Sequence, residues 1–102
     1  MDGVVYAGFG GHCDHPNYQG WVIGFTTDGH ISTLWDDEAG QTGNPGAGIW
    51  QSGGGLVSDA PGDIVLTTGN GTIPAAATPG SSPPQQLGQA VVRLRVQPDR
   101  SL

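Results

Sequence analysis

The sequence predicts an all-β chain, and three observations support this fold class. Short stretches rich in β-branched and aromatic residues recur along its 102 residues, as they do in strands. Its 19 glycines and eight prolines divide the chain into short elements. No stretch shows the period of about 3.6 residues that an amphipathic helix requires. We therefore expect several short antiparallel strands joined by turns.

Charge and hydropathy exclude two classes of partner. The net charge is −6, lysine is missing, and the three basic residues are arginines near the end of the sequence. This pattern lacks the basic stripe that binds nucleic acid, so no nucleic-acid partner is expected. No apolar run approaches the roughly 18 residues of a membrane span. The single cysteine, Cys13, cannot form a disulfide within the chain.

Three strands are predicted in the first 35 residues. Val4–Phe9 is β-branched and aromatic and ends in glycines. A polar loop separates it from a second strand over 20–25. Asp28 and Gly29 then form a strong hairpin signal. A third strand follows over 31–35.

Three further strands are predicted in the second half. Residues 56–57 lead into a turn over 59–63, where proline and glycine supply the turn geometry. An apolar, β-branched strand follows over 64–68. After a loop rich in proline, alanine and serine over 73–87, the last strand spans 88–96. Its apolar residues alternate with arginines, which predicts one buried and one solvated face: Val92, Leu94 and Val96 against Arg93 and Arg95.

The two halves resemble each other. Residues 4–11 align with 64–71, since each is an apolar strand that ends in glycines. Residues 20–25 align with 89–94 after a longer loop. The order is three strands, a connector and three strands, with the register shifted by one strand. Such repetition is typical of repeat architectures.

The sequence is similar to β-propellers with pyrroloquinoline-quinone-type (PQQ-type, quinoprotein-like) repeats. The resemblance rests on residues 5–11, 20–25, 28–29 before 34–35, and 49–50 through 68–71. It implies a partial propeller with antiparallel sheets from two adjacent blades. Residues 1–40 would supply strands B, C and D of one blade, and 41–102 strands A, B and C of the next. Trp35 would dock against a neighbouring blade.

Fewer than two blades cannot close a propeller and hide its edges. The resemblance therefore implies a structural segment of a larger protein, whose remaining blades, or a partner chain, complete the sheets. No catalytic residue is identified, and the chain alone is not expected to be an enzyme. Family members are mostly exported, whereas no leader precedes the first predicted strand, so no compartment is assigned.

A second hypothesis is part of a PQQ- and calcium-dependent dehydrogenase. In quinone-dependent alcohol dehydrogenases, a motif like residues 68–71 places its asparagine near the cofactor and its calcium, which implies this role for Asn70. Trp50 is the residue on which PQQ would stack. The structural alternative is that Asn70 adopts a left-handed conformation between two glycines.

A third hypothesis is a small metal-binding β domain that uses the loop containing His12, Cys13, Asp14 and His15. Imidazole and thiolate are good zinc or copper ligands, so His12, Cys13 and His15 are the candidate ligands. The structural alternative is a loop between strands in which Asp14 makes a local turn hydrogen bond.

Two other segments receive structural interpretations. The acidic residues Asp36, Asp37 and Glu38 are expected in a solvated connector rather than a calcium site. The glycines over 53–55 lack the lysine and helix of a phosphate-binding loop. We expect them to permit close backbone approach near the propeller axis.

Overall fold

The chain forms two antiparallel sheets. The computed structural model describes residues 1, 3–11, 17–41, 46–51, 53–72 and 84–102. These residues contain no helix, and hence no helix that could cross a membrane. The five strands are β1 (Val4–Phe9), β2 (Trp21–Thr26), β3 (Ile31–Asp36), β4 (Asp63–Thr67) and β5 (Val91–Arg95). The predicted all-β class is confirmed.

The first sheet is a meander in the order β1-β2-β3. Val4 pairs with Thr26 and Phe9 pairs with Trp21, so β1 and β2 are in register along their whole length. The turn between β2 and β3 contains Gly29 at φ 90°, as the Asp-Gly signal predicts. Short connections of this kind place consecutive strands side by side.

The second sheet consists of β4 and β5, which pair from Asp63 with Arg95 to Thr67 with Val91. Val92 and Leu94 are buried, whereas Arg93 and Arg95 are exposed. The predicted alternation of β5 is therefore confirmed. The turn before β4 has Gly62 at φ 82°, and the Asp63 N–H donates to the Ala60 carbonyl at 3.0 Å.

The strand expected at residues 56–57 does not form. Val57 makes only an isolated antiparallel bridge to Val65, closed by two backbone hydrogen bonds of 3.1 and 2.7 Å. The side chain of Val57 is exposed, so burial contributes little to extending this bridge into a strand.

One hydrophobic core joins the two sheets. Val22 of β2, Ile64 and Leu66 of β4, and two residues of β5 form a single buried cluster together with Ile49. Ile49 comes from the segment between the sheets rather than from a strand. Each sheet thus buries one face against the other, which is how paired sheets exclude water from their apolar sides.

The other face of the first sheet, here called the outer face, is apolar but uncovered. Cross-strand partners share a face of a sheet, and the pairing places one strip of apolar residues there: Val5, Ala7, Phe9, Trp21, Ile23, Phe25, Ile31 and Leu34. Val5, Ile31 and Leu34 are each more than 60% exposed. The first sheet therefore has two apolar faces, and the described residues cover one of them.

Candidate functional site

The two sheets meet at an extended segment, residues 46–49, here called the seam. The Gly46 N–H donates to Tyr18 at 3.0 Å, and the Ile49 N–H donates to Phe9 at 3.1 Å, which ties the seam to the first half of the chain. The Ala47 N–H donates to the Asn70 carbonyl at 2.6 Å, which ties it to the second. Backbone groups of the seam are thus hydrogen-bonded to both halves of the chain.

Trp50 follows the seam, and its ring packs against three glycines. A Cβ on Gly10 or Gly69 would overlap the indole ring, and one on Gly48 would come within 3.0 Å of it. The Trp50 N–H donates to the Gly11 carbonyl at 2.9 Å. Only glycine lets three backbone segments approach one ring this closely.

Asn70 lies beside this platform. It directly follows Gly69, on which the Trp50 ring rests, and its carbonyl accepts the Ala47 N–H. The structure therefore places the backbone of Asn70 next to the glycine beneath Trp50, the other residue that the resemblance implies for cofactor binding. The left-handed conformation expected for Asn70 is wrong, because its φ is not positive. Gly71 instead allows close contact with Gly46.

The surface around Trp50 has the chemistry of a stacking site. The ring is 39% exposed, and Tyr18 packs at its edge with ring centroids 5.6 Å apart and tilted by 48°. A cleft of about 360 Å³ adjoins the ring and is lined by Gly8, Ile49, Trp50, Gln51, Gly53, Gly55 and Leu56. An exposed indole beside an uncharged cleft can stack on a planar ligand.

The predicted metal ligands His12, Cys13 and His15, with Asp14, lie outside the described residues. In the part of the chain that the structure describes, no three histidine, cysteine or acidic side chains gather into a metal site. His30 is exposed and pairs with Asp28 at 3.2 Å in the β2–β3 turn. The metal-binding hypothesis thus remains a prediction from sequence.

The solvated connector expected over residues 36–38 is wrong. Asp37 and Glu38 are 0% exposed. Burial raises the pKa of Asp37 to about 7, against an opposing hydrogen bond from Gly20 and with added repulsion from Glu38. Burial also raises the pKa of Glu38. Sequence reasoning missed these residues because consecutive acids normally remain in water.

Two of the glycines over 53–55 provide the positive φ angles of a turn. They do not allow another backbone segment to approach closely. Gly53 and Gly55 have φ of 76° and 67°, and a Cβ on either would meet nothing within 4 Å. The expectation of a tight backbone contact is therefore wrong for these positions. Close approach occurs instead at the glycines under Trp50.

No protein-family model, curated protein or solved structure matches the chain. The resemblance to quinoprotein-like propellers accordingly depends on the sequence motifs alone. The fold and the geometry around Trp50 supply the physical observations from which a function can be proposed.

Proposed function

We propose that the chain is a structural segment of a larger quinoprotein-like β-propeller. In this proposal the first sheet is covered on both faces, on one by the second sheet and on the other by a further sheet. That sheet comes from the remaining blades or from a partner chain. The observation that carries the proposal is the uncovered outer face.

The outer face has the composition of a buried surface. Val5, Ile31 and Leu34 are 62%, 61% and 61% exposed, and Phe9 is 42% exposed. Contiguous apolar surface of this kind marks an interaction site in soluble proteins. Among the residues of the three strands that share this face, Asp36, the cross-strand partner of Trp21, is the only carboxylate. Because these apolar side chains are already about half buried, covering each one would contribute roughly half of the about 1.5–3 kcal/mol that full burial gives.

The chain itself shows how a second sheet covers the first. β4 and β5 place Ile64, Leu66, Val92 and Leu94 in one cluster with Val22 of the first sheet. Repetition of this packing on the outer face is the stacking that a propeller requires. The bridge between Val57 and Val65 lies on the side of β4 away from β5, where strand A of the second blade is expected.

The proposal is tested by placing a charge on the outer face. We expect Leu34→Asp to abolish concentration-dependent self-association of the purified chain, measured by sedimentation velocity. It should also abolish binding of an apolar dye such as ANS. Val91→Asp is the matched control, because Val91 is 76% exposed on the second sheet, beside two arginines. A wild-type chain that stays monomeric and binds no dye would contradict the proposal.

A second candidate is part of a PQQ- and calcium-dependent dehydrogenase, favoured by the proximity of Trp50 and Asn70. Here Trp50 would stack on the quinone, and the Asn70 amide would contribute a ligand to the calcium ion. Titration of the chain with PQQ and CaCl₂ should quench tryptophan fluorescence saturably. Trp50→Leu should remove the quenching and Trp21→Leu should retain it. Absence of saturable quenching in the wild type would exclude this candidate.

A further inference from the structure

Two consecutive carboxylates are buried without adequate partners. Both oxygens of Glu38 and Oδ2 of Asp37 lie out of contact with solvent. The backbone N–H groups of Leu87 and Gly88 face Glu38 and offset its burial only in part. Both side chains are 0% exposed. A buried ionised carboxylate is costly unless it is paired.

Asp37 also holds three parts of the chain together. Its Oδ1 accepts the Gly20 N–H at 2.9 Å, and its own N–H donates to the Gly20 carbonyl at 3.2 Å. Its carbonyl accepts the Leu87 N–H at 3.2 Å. The residue before β2, the end of β3 and the segment before β5 are therefore joined at Asp37, by two hydrogen bonds of its backbone and one of its carboxyl group.

Among the described residues, those packed against these acids provide no positive charge. The segments packed against Asp37 and Glu38 are residues 17–20, the seam and residues 84–88. Within them Tyr18 is the only ionisable side chain. Asp36 on the same strand adds a further negative charge. The described arginines lie elsewhere: Arg93 and Arg95 bind Asp63, and Arg100 is in the exposed tail.

We propose that Asp37 and Glu38 form a proton-operated latch. The carboxyls stay buried in the connector between the two sheets while they are protonated, and their ionisation opens it. A neutral carboxyl is much cheaper to bury than a carboxylate, and its O–H can donate a hydrogen bond. The inference does not depend on the proposed propeller, because it uses only contacts within this chain.

The direction in which stability changes with pH follows from the linkage between protonation and folding. Burial raises the pKa of Asp37 from 3.8 to about 7, so between these values the folded chain binds more protons than the unfolded chain. Stability is therefore highest at the acidic end of this window and is lost as the pH rises through 7. Glu38 acts in the same direction because its pKa is also raised.

The latch is tested by urea unfolding of the full chain between pH 5 and pH 8.5. We expect the folding equilibrium constant to fall by about ten-fold or more per pH unit up to pH 7, since Asp37 releases one proton and Glu38 adds to this release. Asp37→Asn should flatten this dependence and make the chain more stable than wild type at pH 8. Asp59→Asn, which removes a half-exposed carboxylate, should leave the slope unchanged.

If Asp37→Asn fails to fold, NMR of the wild-type chain tests the latch directly. Carboxyl ¹³C shifts of the wild-type chain should show Asp37 titrating near neutral pH, with faster exchange of the Gly20 and Leu87 amides above it. Glu38→Gln should retain the fold and reduce the slope. A flat wild-type profile, an unchanged slope in the Asp37 and Glu38 variants, or an Asp37 carboxyl that is ionised at pH 5 would overturn the latch.

Discussion

Trp50 shows what the glycines of this chain accomplish at the scale of single residues. The indole ring rests on Gly10, Gly48 and Gly69, which come from three segments that are distant in sequence. A side chain at any of these positions would need to displace the ring or the backbone. The Trp50 ring thus packs against glycines from both halves of the chain.

We expect Gly69→Ala to destabilise the chain by about 1–3 kcal/mol, because the added methyl group overlaps the Trp50 ring. Urea unfolding followed by tryptophan fluorescence measures this loss. Gly54→Ala is the matched control, since its Cβ would meet only Gln51 at 3.6 Å and its φ is not positive. Equal stability of the two variants would contradict the described packing of Trp50.

Sequence reasoning at this scale succeeded where a residue obeys its local pattern. The alternation of Val92 and Leu94 with Arg93 and Arg95 identified the buried face of β5 correctly. The burial of Asp37 could not be predicted, because it depends on Gly20 and Leu87, which only the tertiary fold brings to it. The glycines under Trp50 carry no local signal for the same reason.

At the scale of elements, the pairing of β4 with β5 is stabilised by an ion cluster around the buried Asp63. Asp63 is 0% exposed and accepts two hydrogen bonds from Arg95, at 2.6 and 2.7 Å, and one from Arg93. Arg93 also lies 3.4 Å from Asp59. The first residue of β4 is thereby linked to the exposed face of β5, where bidentate geometry strengthens the contact.

We expect Arg95→Gln to destabilise the pairing of β4 with β5 more than Arg93→Gln, since Arg95 provides the bidentate contact. The hydrogen bonds from Arg95 and the charge of Arg93 lower the pKa of Asp63 below 3.8. The stabilisation of the folded chain by the Asp63 ion pairs is therefore present above pH 3.8. It is lost as the pH falls through the lowered pKa of Asp63.

Unfolding profiles between pH 2 and pH 6 measure this effect. Arg95→Gln should be less stable than wild type at pH 6 and should lose less stability on acidification below pH 3.8. The Arg93 variant is the internal comparison because it removes one hydrogen bond and keeps the Arg95 pair. Identical acid profiles for the wild type and the Arg95 variant would show that the cluster contributes nothing.

The bounds of β1, β2, β3 and β4 were predicted to within one residue, whereas β5 is shorter than the predicted 88–96. Residues 56–57 form no strand, because two apolar residues bounded by glycines and a serine are too short a stretch to form a ladder. Their only pairing is the bridge to β4. Element type thus followed from composition, whereas element length depended on the neighbouring strand.

At the scale of the whole molecule, stability depends on the core that the two sheets share. Leu66 is 1% exposed and belongs to this core, whereas Leu34 is 61% exposed on the outer face. The same residue type therefore has two roles in one chain. Two neighbouring sheets were expected from the repeat pattern. The exposed outer face could be identified only once the strand register was known.

We expect Leu66→Ala to cost about 2–5 kcal/mol of unfolding free energy, through lost burial and the cavity left behind. Leu34→Ala should change the stability of the isolated chain by less than about 0.5 kcal/mol. Chemical denaturation of both variants in the same buffer compares them. A large loss in the Leu34 variant would show that the outer face is covered within the chain or by a second copy.

The seam has a consequence for the order in which the molecule forms. The meander of the first sheet joins strands that follow one another directly, so little chain entropy is lost when it closes. The seam joins backbone groups from distant parts of the sequence, such as Phe9 with Ile49 and Gly48 with Gly69. Contacts of such separation form slowly. The first meander should therefore precede the docking of the two halves, and the final kinetic phase should be the one that seats Trp50.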